Sequence, residues 1–259
     1  MSRLQVILDT KADEVAARRS RTSQSELESQ CADLPTTKGF LNALKSSTTD
    51  LALIAEVKRA SPSAGMIRDE FDPAQIAQAY QRAGSHCLSV LTDEKYFKGH
   101  DSYVAIARDA SDLPCLRKEF IVDVYQVFES RVLGADAILL IVAALEKDQL
   151  LEFSGVATSI GLDVLVEVHD EAEAEVANEI QARLVGVNNR NLATFETDLA
   201  TSERLIPMLT AEFKLSESAL RSRTDLDRVK AAGADGVLIG TTFCESEDIE
   251  SKVREVMGW

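Results

Sequence analysis

From Leu51 onward this chain alternates short apolar runs with longer amphipathic stretches, and nothing else in the sequence limits its possible folds so strongly. The runs are Leu51 to Val57, Cys87 to Leu91, Cys115 to Leu116, Ala137 to Val142, Asp163 to Val168, Leu184 to Val187, Phe213 to Leu215 and Gly236 to Ile239. Several are almost continuously hydrophobic, as parallel strands covered by helices must be; a half-solvated antiparallel strand would alternate polar with apolar. Ala83-Gly84-Ser85, Leu133-Gly134-Ala135-Asp136 and Ala232-Gly233-Ala234-Asp235 each put a glycine where a helix should stop, just before the next run. The segment ahead of the first run is different: residues 1–20 are rich in Ala, Arg and Glu, Ser23-Gln24-Ser25-Glu26 can cap a second helix, and 38–47 suggests a short third. No run leads into the GxGxxG of a dinucleotide fold. The expectation is an α/β fold, a closed (β/α)8 TIM barrel with an N-terminal helical extension, forming one domain over 1–259 with the extension at 1–48 and the barrel at 51–259.

Composition narrows the function. A net charge of -15 argues against nucleic acid or an acidic membrane as partner, since both are bound by clustered Lys and Arg. The apolar runs fall short of the ~20 residues that cross a bilayer, and Met1 to Asp9 lacks the apolar core of a signal peptide, so a cytoplasmic protein is expected. Cys31, Cys87, Cys115 and Cys244 lie far apart, without metal-ligand spacing, and read as reduced thiols in the core.

In a barrel of this kind, polar residues at the C-terminal ends of strands face the active site. Those ends carry Glu56 and Lys58, Lys118 and Glu119, Glu167, Asn188-Asn189-Arg190-Asn191, Ser216-Glu217-Ser218 and Gly240-Thr241-Thr242. Glu56 and Lys58 are two apart and so share the interior side, with Val57 turned toward the helices. Lys118 is a charge among apolar neighbours; partial burial near other cations would lower its pKa and make it a general acid or a Schiff-base nucleophile. Burial of Glu167 within Val164 to Val168 should raise its pKa and suit it to proton transfer. By strand alternation His169 turns to the other side and reads as structural. Arg190 offers a planar fork for a carboxylate or phosphate, with Asn188 pointing the same way. Ser218-Ala219 and Gly240-Thr241 stand where barrel enzymes hold phosphate.

Taken together, Ile54-Ala55-Glu56-Val57-Lys58-Arg59-Ala60-Ser61-Pro62-Ser63, Phe71-Asp72-Pro73, Leu88 to Glu94, Leu116-Arg117-Lys118-Glu119-Phe120, Leu165-Val166-Glu167-Val168-His169 and Gly186 to Leu192 resemble the indole-3-glycerol phosphate synthase family, in the family's order and over essentially the whole chain. The resemblance implies ring closure of 1-(2-carboxyphenylamino)-1-deoxyribulose 5-phosphate with loss of carbon dioxide and water. It implies no metal and no organic cofactor. It makes Lys118 the general acid, gives Glu167 the later proton transfers, and lets Glu56, Lys58 and Asn188 complete the catalytic centre. Lys58, Ser61, Arg190, Glu217, Ser218, Ala219, Gly240 and Thr241 then form the substrate- and phosphate-binding set. It leaves room for association with other tryptophan-pathway enzymes.

Three positions depart from the family pattern. Ala219 replaces a phosphate-loop glycine; where φ is positive a methyl group costs about 1 kcal/mol and would weaken substrate binding. Ala64 stands where a lysine is common, and Val124 where proline usually opens a helix. Two rival readings stay open: a non-catalytic paralogue that binds a phosphorylated ligand, motivated by Ala219, and a Schiff-base barrel enzyme using Lys118 or Lys58.

Overall fold

Eight parallel strands close into a barrel in the computed structural model of the chain, which describes residues 3–62, 64–191 and 196–259. Two members of the motifs quoted above, Ser63 and Leu192, lie outside the described residues. The strands are β1 (Ala52–Val57), β2 (Cys87–Leu91), β3 (Cys115–Lys118), β4 (Ala137–Ile141), β5 (Asp163–Val168), β6 (Leu184–Asn188), β7 (Phe213–Glu217) and β8 (Gly236–Ile239), and β8 pairs back onto β1. Strands β3, β6 and β7 run one or two residues past their apolar runs, because polar residues there still pair in register: Leu91 with Lys118, and Asn188 with Glu217. A two-residue antiparallel hairpin after β1, Ala60–Ser61 with Gly65–Met66, was not foreseen.

Alternation along each strand splits the core in two. Ile54, Leu116, Leu139, Leu165, Leu215 and Leu238 fill the barrel, while Leu53, Val57, Val90, Leu140, Val166 and Val237 pack outward against the helices. The first three helices are α1 (Arg3–Arg19), α2 (Gln24–Ala32) and α3 (Phe40–Lys45). Ser23 caps α2 in a capping box with Glu26, as its sequence implies. Phe40, Leu41 and Leu44 of α3 join the interior cluster and close the barrel floor, where the Lys38 and Leu41 amides donate to Asp136 and Asp163 at the starts of strands.

The remaining helices are α4 (Pro73–Arg82), α5 (Glu94–Phe97), α6 (Ser102–Ala110), α7 (Val124–Val132), α8 (Lys147–Ser159), α9 (Glu171–Glu179), α10 (Ala200–Leu205), α11 (Arg223–Ala231), α12 (Thr241–Cys244) and α13 (Ile249–Met257). Val15, Leu27 and Cys31 pack on Tyr125 and Phe128 of α7, which fixes α1 and α2 along the barrel's flank. Helix α7 starts at Val124 without proline because Asp123 and Gln126 supply a capping box. All four cysteines are buried and free, and burial pushes the Cys115 thiol up to about 12, which makes it a packing group and not a nucleophile at neutral pH.

Candidate active site

Lys118, the last residue of β3, sits between two carboxylates. Its Nζ lies 2.9 Å from Glu167 Oε2 on β5 and 2.8 Å from Glu217 Oε2 at the end of β7. Across the mouth, Lys58 Nζ lies 2.5 Å from Glu56 Oε1, on the interior side that alternation assigns to both. Two glycines make room for these acids: a Cβ at Gly186 would collide with the Glu217 carboxylate, and one at Gly240 with that of Glu56. The strand ends surround a cavity of about 400 Å³, which is within the size range of small-molecule sites. Glu56, Lys58, Ser61, Lys118, Glu167, Asn188, Arg190, Glu217, Ser218, Ala219, Gly240 and Thr241 all line it, so every site residue selected from sequence reaches one space.

The electrostatics correct three of the expectations. Lys118 has carboxylates and not cations for neighbours; burial opposes its charge, but Glu167, Glu217 and Glu56 outweigh that and hold its pKa above the ordinary lysine range. For Glu167, too, burial favours the neutral form, yet Lys118 and His169 overcome it and hold the carboxyl below the usual range. Glu217 is the carboxyl that rises: burial, with Glu167 and Glu56 nearby, pushes it up to about 7 against the pull of Lys118. The two acids share one lysine, so their protons belong to the cluster as a whole. His169 does not turn away. Strand β5 ends at Val168, alternation ends with it, and the imidazole Nε2 comes back to 3.3 Å from Glu167 Oε1.

Asn188 Oδ1 accepts the Arg190 amide at 3.0 Å, and both side chains face the cavity. Ser218 and Ala219 have φ of 65° and 62°, so Ala219 holds the left-handed backbone that favours glycine. Asn189, buried behind this turn, donates to the carbonyls of Glu217 and Ser218 at 2.9 and 3.2 Å and pins it. That support had no sequence signal beyond its place in the Asn188 to Asn191 run.

The helical extension reaches the site, as expected of it, through residues that were not singled out from sequence. Leu4 and Ile7 of α1 line the cavity, as do Phe97 and Phe120, whose ring centroids are 6.1 Å apart. Lys11, one turn beyond Ile7, is 2% exposed and lies 2.6 Å from Asp93 Oδ2 and 3.1 Å from Glu119 Oε1. Glu119 therefore serves the α1 contact and not the Lys118 cluster. The signal was present: a lysine at the middle of the Ile7, Lys11, Val15 spacing marks a cation on a buried stripe. Among the described residues no group of three or more His, Cys, Asp or Glu side chains could hold a metal ion, and no helix is long and apolar enough to cross a membrane.

The model of the indole-3-glycerol phosphate synthase family matches residues 4–256 of this chain. A curated indole-3-glycerol phosphate synthase of Neisseria meningitidis serogroup B is 45% identical over 255 residues, which is 98% of each chain. The chain belongs to the indole-3-glycerol phosphate synthase family. Membership makes it a carbon-carbon lyase of the carboxy-lyase type, placed in tryptophan biosynthesis and acting on a small phosphorylated molecule. Among solved structures, thiamine phosphate pyrophosphorylase of Pyrococcus furiosus superposes with a TM-score of 0.59 at 12% identity, over 81% of this chain and 95% of that one. A mutant tryptophan synthase α-subunit of the same organism gives 0.59 at 13%, over 80% and 98%. At such identities the likeness shows the shared barrel alone.

Proposed function

We propose that this indole-3-glycerol phosphate synthase closes its ring with Lys118 as the first acid, Glu167 as the base and Glu217 as the second acid. The observation that carries the reading is the Lys118 ammonium held between Glu167 and Glu217 at the cavity floor. A lysine kept protonated can give a proton to the carbonyl oxygen of 1-(2-carboxyphenylamino)-1-deoxyribulose 5-phosphate as the ring carbon bearing the carboxylate attacks the carbonyl carbon. The C–CO₂ bond then breaks, carbon dioxide leaves, and its electron pair restores the aromatic ring. Glu217, the carboxyl pushed upward, protonates the new hydroxyl so that it departs as water. Glu167, held ionised, takes the methylene proton that completes the indole double bond. One proton enters per turnover, which balances the loss of a carboxylate as carbon dioxide.

Around that centre, Phe97, Phe120, Leu4 and Ile7 offer an apolar seat for the aromatic ring. Arg190 and Asn188 orient the substrate's anionic groups, and Lys58, tethered by Glu56, adds a cation near phosphate or carboxylate. Ser61, Ser218, Ala219, Gly240 and Thr241 hold the phosphate. No cofactor enters this scheme. One domain made of the 1–48 extension and the 51–259 barrel, a cytoplasmic location and association with other tryptophan-pathway enzymes complete the reading.

The test is formation of indole-3-glycerol phosphate by wild type and Lys118→Ala, with borohydride added in a parallel reaction. Turnover should fall by about 10³-fold or more in the variant, with no lysine adduct trapped in wild type. A trapped adduct would establish the Schiff-base alternative, and ligand binding without turnover in wild type would establish the non-catalytic one.

A further inference from the structure

Glu167 is held from both sides. Lys118 Nζ meets its Oε2, and the imidazole of His169 faces its Oε1 at 3.3 Å, as a charge contact and not a straight hydrogen bond. The imidazole is fixed in turn by Glu173, in the first turn of α9. Glu173 Oε2 accepts the His169 backbone amide at 2.8 Å and lies 3.0 Å from Nδ1. An acid that engages both the main chain and the ring of one histidine leaves that ring little rotational freedom. With Nδ1 held against Glu173, the Nε2 end of the imidazolium lies beside Glu167 Oε1, off the straight N–H···O line. The Glu173 and His169 side chains keep 17% and 11% exposure, whereas Glu167 keeps 3%, so the pair spans from the rim to the buried carboxylate.

We infer that the Glu173–His169 pair is a positioning device that orients the Glu167 carboxylate and keeps it ionised as the base of the reaction. The inference rests on the role proposed above for Glu167. The charged groups around that carboxylate are Lys118 from β3, Glu217 from β7 beyond the lysine, Glu56 from β1 facing the same lysine, and His169 with Glu173 behind it. Lys118 is shared with Glu217, so it cannot be counted wholly for Glu167. His169 is the cation that Glu167 does not share with Glu217. Burial disfavours the imidazolium, but Glu167 and Glu173 outweigh burial and push its pKa up to about 10, so the ring stays charged throughout the neutral range. Partners that orient metal-ligating side chains matter by about 10- to 100-fold, and a pair that orients a catalytic base should act on the same scale.

The experiment compares wild type, His169→Asn and Glu173→Gln, following kcat and KM from about pH 3 to about pH 9, with circular dichroism and Tm recorded for each across that range. Without the imidazolium Glu167 loses a cation, its pKa rises, and the acid limb of the kcat profile should move up by about one pH unit. At neutral pH kcat should fall by about 10- to 100-fold while KM stays within about twofold. Glu173→Gln keeps an acceptor for Nδ1–H but removes the negative charge behind the ring, so its limb should move the same way by less. A folded His169→Asn whose acid limb and kcat match wild type overturns the inference, as does a loss confined to KM. If His169→Asn does not fold, Glu173→Gln decides in the same way. Wild type without turnover would instead remove the Glu167 role on which the inference stands.

Discussion

The two ends of the barrel are built from opposite materials. The floor, under α3, is mainly apolar: Phe40 and Leu44 are fully buried against Ile54, Leu116, Leu165 and Leu215, and the Lys38 and Leu41 backbone amides are met by Asp136 and Asp163. The mouth, two to four residues further along the same strands, gathers Glu56, Lys58, Lys118, Glu167 and Glu217 beside two left-handed non-glycine residues. Buried ion pairs are weak stabilisers, whereas apolar burial is worth about 25 cal/mol per Å². The floor therefore supplies stability that the mouth spends on chemistry, and substitutions at the two ends should fail in different ways.

The largest effect on stability is expected at the floor. Phe40→Ala should cost about 3–5 kcal/mol in denaturant unfolding while kcat and KM stay within about twofold. A loss of kcat as large as the loss of stability would show that the floor shapes the site and would break the contrast. Lys11→Met should come next. It leaves Asp93 and Glu119 buried beside one another without their cation, at a cost of about 3 kcal/mol. Because Leu4 and Ile7 ride on the same helix into the cavity, KM should rise about threefold or more as well. An unchanged KM would mean that α1 belongs energetically to the flank and not to the site.

Glu167 and Glu217 sharpen the contrast within the mouth. A carboxyl whose folded pKa is raised, as Glu217's is from 4.5 to about 7, contributes stability present below the unfolded value and lost as pH rises through the folded one. Glu217→Gln should therefore gain Tm relative to wild type between about pH 5 and about pH 8, by about 2–4 °C. Glu167 has the opposite sign: its depressed pKa contributes stability above the unfolded value, lost as pH falls through the folded one, so Glu167→Gln should be least harmful in acid. Two variants with the same pH trend would show that the cluster's proton is not placed on Glu217.

Fold and mouth differ in how far they could be read from sequence. All eight strands were legible because burial on both faces writes itself into residue type. The repeated glycine-to-strand junctions were legible too, and the structure supplies the reason for the polar residue two positions past each glycine. After Gly134 and Gly233, Asp136 and Asp235 accept the amides of Cys115 and Lys214 at the start of the preceding strand; after Gly84, His86 Nδ1 does the same for Leu53. Which strand-end residues reach the cavity was legible as well, since strand ends and alternation decide it, whereas Leu4, Ile7, Phe97 and Phe120, which lie off the strands, were not. Their protonation was not, because Glu167 and Glu217 differ only in which cations converge on them, and Lys118 and His169 arrive from opposite sides of the same carboxylate. The hairpin after β1 had no signal, because two-residue strands carry no periodicity, whereas the buried Lys11 had one in the Ile7, Lys11, Val15 spacing that was outweighed by the habit of lysines to lie in solvent.

The smallest effect is expected at Ala219, where the free protein already holds the left-handed backbone, at φ 62°. The expectation drawn from sequence was weakened substrate binding. The structure moves that cost: strain present before the substrate arrives is carried by folding, and binding need not meet it again. Its size is also reduced, because the methyl packs on the outer core and glycine would add freedom to the unfolded chain. Ala219→Gly should therefore change Tm by no more than about 2 °C and leave KM within about twofold. A KM several-fold lower in the glycine variant would show that the turn leaves this conformation in the free protein and that phosphate must restore it, and the strain would then belong to binding after all.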